Sequence, residues 1–170
     1  MAEWVTHVLV AYAVFTGVGW YIEWVDGRWV AVALVGSVLP DFDRLGLLVD
    51  DDWVTATTGV PFDWGGVHSL GGLVCLAGVG ALLFGARREQ VRAYLLLLGG
   101  GLLHVALDVP QAYADGRALT NNYLFPVTSW RPTTPGLYVS ADRWVVIAAA
   151  ALAGLVFVAD RYRQRDGESG

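Results

Sequence analysis

The chain has 170 residues, which is enough for one compact domain and too few for two. Apolar residues make up 55% of it and the mean hydropathy is +0.49, more than a soluble domain of this size can bury. All 11 basic residues are arginines, and 16 acidic residues leave a net charge of −5, which argues against nucleic acid as a partner. We therefore expect a protein embedded in a membrane.

Five apolar stretches follow one another along the chain, and a membrane-spanning helix needs about 20 such residues. They cover residues 4–24, 29–40, 67–85, 91–109 and 144–159. Tryptophans stand at several of their ends, as they do at membrane interfaces, and glycines within them favour close helix packing. The pattern predicts an all-α, polytopic transmembrane bundle of about five helices, in which the second helix is short.

Two longer polar connections, residues 41–66 and 111–143, join these stretches and are expected to be outer loops. Residues 1–160 are predicted to form one membrane-embedded domain, and residues 161–170 a charged tail that frays. Seven arginines lie in the short turns and the tail, against four in the long connections. Arginine-rich segments stay in the cytoplasm, so the N-terminus and both long loops are predicted to face outward from the cell membrane.

Three histidines and three aspartates each lie beside the outer end of an apolar stretch. These six residues are His7, Asp41, Asp43, His68, His104 and Asp108. His104 and Asp108 are four residues apart and therefore share one face of a helix. Because consecutive spans alternate in direction, all of these ends meet at one membrane face. The six side chains are therefore expected to converge.

Imidazole and carboxylate groups together suit Zn²⁺ and related cations, whereas carboxylates alone suit Mg²⁺. The six residues predict a site for one or two divalent cations, with zinc favoured and manganese or magnesium as alternatives. A carboxylate not needed as a ligand, from the Asp41/Asp43 pair or Asp108, is expected to accept a proton or to orient a histidine. Arg44 and Arg131, in the outer loops, are candidate contacts for an anionic substrate.

Each of these residues also has an ordinary structural interpretation. A histidine near a helix end is often packed or interfacial, Asp-x-Asp after a proline can end a helix, and the arginines can simply lie on the surface. Ser69 is best interpreted as a helix-start residue or as a donor behind a ligand, and Asp50 to Asp52 as a solvated loop. Ionisable groups at membrane depth are costly, which favours a functional interpretation of the set as a whole.

Five short motifs occur in a fixed order. They are Thr6-His7, Gly36-x-x-Leu39-Pro40-Asp41-x-Asp43, His68-Ser69-Leu70, His104-x-x-x-Asp108 and Leu124-Phe125-Pro126. This order resembles the YdjM-type family of membrane-bound metal-dependent hydrolases, also described as LexA-binding inner-membrane-associated hydrolases, over about residues 6–126. The resemblance implies that the six residues form a metal centre and that Gly116 and the Leu124-Phe125-Pro126 turn shape its rim. The sequence departs from the family before His68 and after Asp108.

These features together predict a membrane-embedded metal-dependent hydrolase, in which metal-activated water attacks an ester or phosphoester at one membrane face. Membrane lipids are the expected partners and candidate substrates. The alternatives are a non-enzymatic membrane protein that binds or conducts an ion, and a structural metal site that clips the helices together. The almost wholly apolar middles of the third, fourth and fifth stretches count against a path for ions through the bilayer.

Overall fold

The computed structural model describes residues 4–112, 122–131, 135–139 and 142–168, and these are mostly helical. The α-helices among them are α1 (Trp4–Gly19), α2 (Gly27–Gly36), α3 (Asp51–Thr58), α4 (Leu70–Ala81), α5 (Arg87–Asp108) and α6 (Arg143–Glu168). Two 3₁₀ helices, Leu39–Leu47 and Trp64–His68, precede α3 and α4, and β1 (Gln111–Ala112) pairs in parallel with β2 (Tyr138–Val139). The predicted helical class is confirmed.

Two of the helices within the described ranges are long and apolar enough to cross a membrane. By length and composition these are α5 and residues Arg143–Arg165 of α6. Helices α1, α2 and α4 are apolar but have 16, 10 and 12 residues. They rise roughly 24, 15 and 18 Å, against a hydrocarbon core of about 30 Å. The apolar stretches thus extend beyond their helices, since residues 20–24 belong to the first stretch but lie in the turn between α1 and α2.

Helix α5 packs against both α2 and α4, and α1 packs against α2 and α6. Glycines allow the closest of these approaches. A Cβ atom at Gly100 of α5 would overlap the carbonyl oxygen of Ala33 and lie 2.7 Å from the backbone nitrogen of Ser37. A Cβ atom at Gly36 would likewise overlap the backbone of Leu97. Because each of these glycines lacks a side chain, α2 and α5 meet backbone to backbone.

Helix α6 lies on the side of α1 and buries little more than Ala149 and Ala153. Its outer face exposes Ile147, Leu155 and other apolar side chains, as expected for a surface that contacts lipid. The helix continues through Glu168, so the described part of the predicted tail is helical.

Side chains with oxygen acceptors begin several of the helices. Ser69 accepts a hydrogen bond from the backbone N–H of Gly72 at 3.1 Å, and this confirms its interpretation as a helix-start residue. The prediction of a solvated loop at Asp50 to Asp52 is wrong. Asp50 caps α3 and accepts hydrogen bonds from the backbone N–H groups of Asp52 and Trp53. Carboxylates at this position pair with the free amides of the first helical turn, which explains the difference.

Replacing Ser69 with alanine is expected to lower the free energy of unfolding by about 1 kcal/mol, because the Gly72 amide loses its side-chain acceptor. A Ser69→Thr variant keeps the hydroxyl group and should lie closer to the wild type. Unfolding of the detergent-solubilised protein, followed by circular dichroism as SDS is added, measures both variants. An alanine variant as stable as the wild type would show that this cap does not stabilise α4.

Candidate metal centre

The six histidines and aspartates singled out in the sequence lie side by side at one end of the helices. His7 comes from the first turns of α1, Asp41 and Asp43 from the 3₁₀ helix Leu39–Leu47, His68 from the end of the second 3₁₀ helix, and His104 and Asp108 from the last turns of α5. Five of them are at most 4% exposed, whereas the side chain of Asp43 is 27% exposed. The cluster is therefore mostly buried, and Asp43 is its most exposed member.

Asp108 lies at the centre of this cluster. Its Oδ1 atom is 3.4 Å from Nε2 of His7, and its Oδ2 atom is 3.2 Å from Nε2 of His104 and 3.8 Å from Nε2 of His68. The amide of Gln111 donates a hydrogen bond to Oδ1 at 2.8 Å. One buried carboxylate thus faces the same ring nitrogen of three histidines, each contributed by a different segment of the chain.

Two of the imidazole rings have an oxygen atom close to Nδ1, the ring nitrogen that does not face Asp108. Nδ1 of His104 is 2.7 Å from the carbonyl oxygen of Ser37, and because a carbonyl only accepts, this nitrogen carries the hydrogen. Nδ1 of His68 is 3.2 Å from Oδ2 of Asp43. A ring held in this way turns its Nε2 atom towards Asp108. Partners of this kind commonly orient histidines that bind a metal.

The distances within the cluster fit a divalent cation. Ligands of a tetrahedral zinc ion, with bonds of about 2.0–2.1 Å, lie roughly 3.3 Å apart. Two groups of three, His7 with His104 and Asp108, and Asp41 with His68 and His104, each offer ligand atoms within 4.8 Å of one another. Nδ1 of His104 is hydrogen-bonded to the Ser37 carbonyl and is therefore not free to bind a cation. The group of His7, His104 and Asp108 is thus the better candidate ligand set, and His68, whose Nε2 atom is 3.8 Å from Asp108, is the candidate fourth ligand.

Buried polar atoms that make no hydrogen bond support the same conclusion. Within the part of the chain that the structure describes, these atoms include both ring nitrogens of His7, Nε2 of His104 and both carboxylate oxygens of Asp41. The rings of His7 and His104 are stacked 3.7 Å apart with 12° between their planes, so two imidazolium cations there would repel each other. Leaving these groups unpaired is costly, and a bound cation is the partner that suits both the nitrogens and the carboxylates.

The two predicted substrate contacts lie in different places. Arg44 is beside the cluster, with its Nε atom 3.6 Å from Oδ1 of Asp41 and its guanidinium 4.9 Å from the ring of Trp4. Arg131 donates a hydrogen bond to Asn122 at 2.8 Å and lines a separate cavity of about 450 Å³ that Ser69 also borders. Among the contacts of the described residues, Arg44 joins the cluster and Arg131 does not.

The predicted rim is partly described. The backbone N–H groups of Leu70 and Gly71 donate to the carbonyl oxygens of Tyr123 and Phe125, each at 2.8 Å. The turn containing Phe125 thus lies against the first residues of α4, directly after His68. Gly116, the other residue implied at the rim, lies outside the described residues.

Sequence reasoning missed two fully buried residues that hold the cluster, Ser37 and Gln111. Ser37 acts through its backbone carbonyl, which has no sequence signature. Gln111 could have been noticed as an amide three residues after Asp108 and next to an apolar helix. Its β-pairing with Tyr138 also brings the phenol of Tyr138 to the Leu107 carbonyl, to which it donates a hydrogen bond. Burial raises the pKa of Tyr138, so the phenol stays protonated and able to donate.

Comparison with known families identifies the family of the chain. A family model described as YdjM inner membrane protein matches residues 1–167. The chain belongs to this family. The match extends over α6, beyond the five motifs found in the sequence, and the family description together with the two long apolar helices indicates an inner membrane protein. A search of the curated proteins and of the solved structures found no match.

Proposed function

We propose that this YdjM-family protein is a membrane-embedded, metal-dependent hydrolase that cleaves an ester or phosphoester at one membrane face. The observation that carries the proposal is the buried carboxylate of Asp108, which faces Nε2 of His7, His68 and His104 at 3.2–3.8 Å. Three imidazoles and one carboxylate are a donor set that favours zinc, with manganese or magnesium as alternatives. Asp41 provides a further carboxylate should a second ion bind.

When bound, such a cation polarises the ester or phosphoryl oxygen and lowers the pKa of water to about 7. Asp41 would accept the proton, and this role is supported by its carboxylate oxygens, which are buried and make no hydrogen bond with the described residues. The oxygen of water bonds to the acyl carbon or phosphorus atom, the bond from that atom to the alcohol oxygen breaks, and the proton passes to the leaving alcohol. Arg44, whose Nε atom is 3.6 Å from Oδ1 of Asp41, would hold a negatively charged oxygen of the substrate.

The proposal includes a bundle of about five membrane-embedded helices with the centre on the outer face. Helix α5 supports this placement, since Arg87, Arg88 and Arg92 occupy one end and His104 and Asp108 the other. Arginines mark the cytoplasmic end of a span, so the opposite end faces outward. At that depth the centre lies near lipid headgroups, and membrane lipids are the substrates that we propose.

A second candidate function is a structural metal site. The observation that favours it is burial, because His7, His68, His104 and Asp108 are each at most 4% exposed. A cation held there would join α1, the end of the second 3₁₀ helix and α5. The mostly closed surroundings that suit such a site contrast with the open coordination position that hydrolysis needs.

An Asp41→Asn variant separates the two candidates. If the centre is catalytic, the variant should retain its metal but hydrolyse at least about 100-fold more slowly, as expected when a proton acceptor is removed. The assay uses zinc-loaded protein in detergent with carboxyl esters, phosphomonoesters, phosphodiesters and phospholipids in mixed micelles. Asp52→Asn, an exposed change in α3, is the matched control and should behave as the wild type.

Chelation provides the opposing outcome. A wild-type protein that hydrolyses none of these substrates, and that unfolds when its metal is removed, would contradict the hydrolase and support the structural site.

A further inference from the structure

An apolar groove of about 380 Å³ opens on the outer surface of the bundle, between α2, α4 and α5. Its walls include Val35 from α2, Leu39 and Phe42 from the first 3₁₀ helix, Leu76 and Val79 from α4, and Leu97 from α5. Among the described residues, none with a polar side chain lines it. Val35 and Val79 are more than half exposed along its edges, so the groove is open to the bilayer rather than closed inside the protein.

The groove begins at the segment that also builds the metal centre. Phe42 stands between Asp41 and Asp43 in the chain, and Leu39 follows two residues after Ser37, whose carbonyl holds His104. Leu97 lies seven residues before His104 on α5, which is roughly 10 Å deeper along the helix. The groove therefore runs from the level of the centre into the hydrocarbon core.

We propose that this groove holds an acyl chain of the substrate and so makes the enzyme selective for lipids over soluble esters. The inference rests on the proposed hydrolase function. Its occupant follows from the surroundings, because an apolar groove at membrane depth, which reaches Phe42 between Asp41 and Asp43, meets acyl chains of the bilayer first. A chain lying there would leave the ester or phosphoester linkage of its lipid beside Phe42, at the level of Asp41 and Asp43.

Val35→Trp places a large side chain across the groove from an exposed position, and Ile147→Trp makes a comparable change on the lipid-facing side of α6. The first test uses vesicles of phosphatidylcholine containing a phospholipid with a diazirine on one acyl chain. In the wild type, photocrosslinks should map to the groove. They should fall about tenfold in Val35→Trp and stay unchanged in Ile147→Trp. Crosslinks spread evenly over the lipid-facing surfaces, and unchanged by Val35→Trp, would overturn the inference.

The second test compares a long-chain ester with a short-chain soluble ester that has the same leaving alcohol. Val35→Trp should lower kcat/KM about tenfold for the long chain and leave the short chain unchanged. A metal content equal to that of the wild type would show that Val35→Trp folds. If Val35→Trp does not fold, Val79→Phe, which changes the α4 wall of the groove, takes its place in both tests.

The two tests separate the two proposals. Hydrolysis that is equally fast in the wild type and Val35→Trp for both esters would refute the groove and leave the hydrolase standing. Groove-specific crosslinking without hydrolysis of any ester would refute the hydrolase and the link to a substrate, while a lipid-binding groove would remain.

Discussion

Replacing Asp108 with asparagine should strip the protein of its metal. The carboxylate faces Nε2 of three histidines, so the substitution removes the negative charge at the centre of the cluster. Loss of a group behind a ligand already costs about 10–100-fold in metal affinity, and loss of the ligand itself should cost at least about 100-fold. Mass spectrometry of detergent-purified protein measures bound metal, and competition with a chelator measures the affinity.

The matched control for this experiment is Asp160→Asn. Asp160 is also a partly buried carboxylate, hydrogen-bonded to Trp20 at 2.9 Å, but it lies at the other end of α1 from His7. This variant should bind as much metal as the wild type. Full metal content in Asp108→Asn, at wild-type affinity, would contradict the role of Asp108 as a ligand, because the cation would then bind without this carboxylate.

Replacing Gly100 with alanine is expected to lower the free energy of unfolding by about 2 kcal/mol, in the range for overpacked cores. The new Cβ atom would overlap the Ala33 carbonyl oxygen and lie 2.7 Å from the Ser37 nitrogen. Both are backbone atoms, which cannot rotate away, so α5 must move from α2. His104, one helical turn further on, would then leave the Ser37 carbonyl, and metal affinity should fall as well.

Gly154→Ala in α6 is the control, because no atom lies within 4 Å of its added Cβ. There the exchange should be neutral or stabilising by up to about 1 kcal/mol, since alanine is the better helix former. Unfolding by SDS, followed by tryptophan fluorescence, compares the two variants. Equal stability of Gly100→Ala and Gly154→Ala would contradict the close contact of α2 with α5.

Periodicity and alternation explain what could be inferred from the sequence. Apolar stretches identify helices, and the i, i+4 spacing of His104 and Asp108 places both on one face whatever the surrounding structure. Helix ends are less visible, because turns near a membrane interface are also apolar. Residues 20–24, for example, continue the apolar pattern of α1 but form a turn.

The remaining details of the centre depend on backbone atoms and ring orientations that residue types do not encode. Ser37 contributes a carbonyl group, which every residue possesses. Asp41 and Asp43 belong to one motif, but only the position of the His68 ring shows that Asp43 is the one beside its Nδ1 atom. The amide of Gln111 donates a hydrogen bond to Asp108. This contact depends on α5 ending at Asp108, and the sequence does not mark that end clearly.

The length of α6 bears on the depth at which the protein sits in its membrane. Its 26 residues rise roughly 39 Å, about 9 Å more than the hydrocarbon core. The excess carries Arg161, Arg163 and Arg165, and the guanidinium of Arg163 lies over the ring of Trp20. Each arginine near an anionic leaflet contributes about 1 kcal/mol of attraction. Attraction to anionic lipids at this end of α6 would therefore contribute to the depth of the helices in the membrane, and so to the depth of the histidines near the other end of the helices.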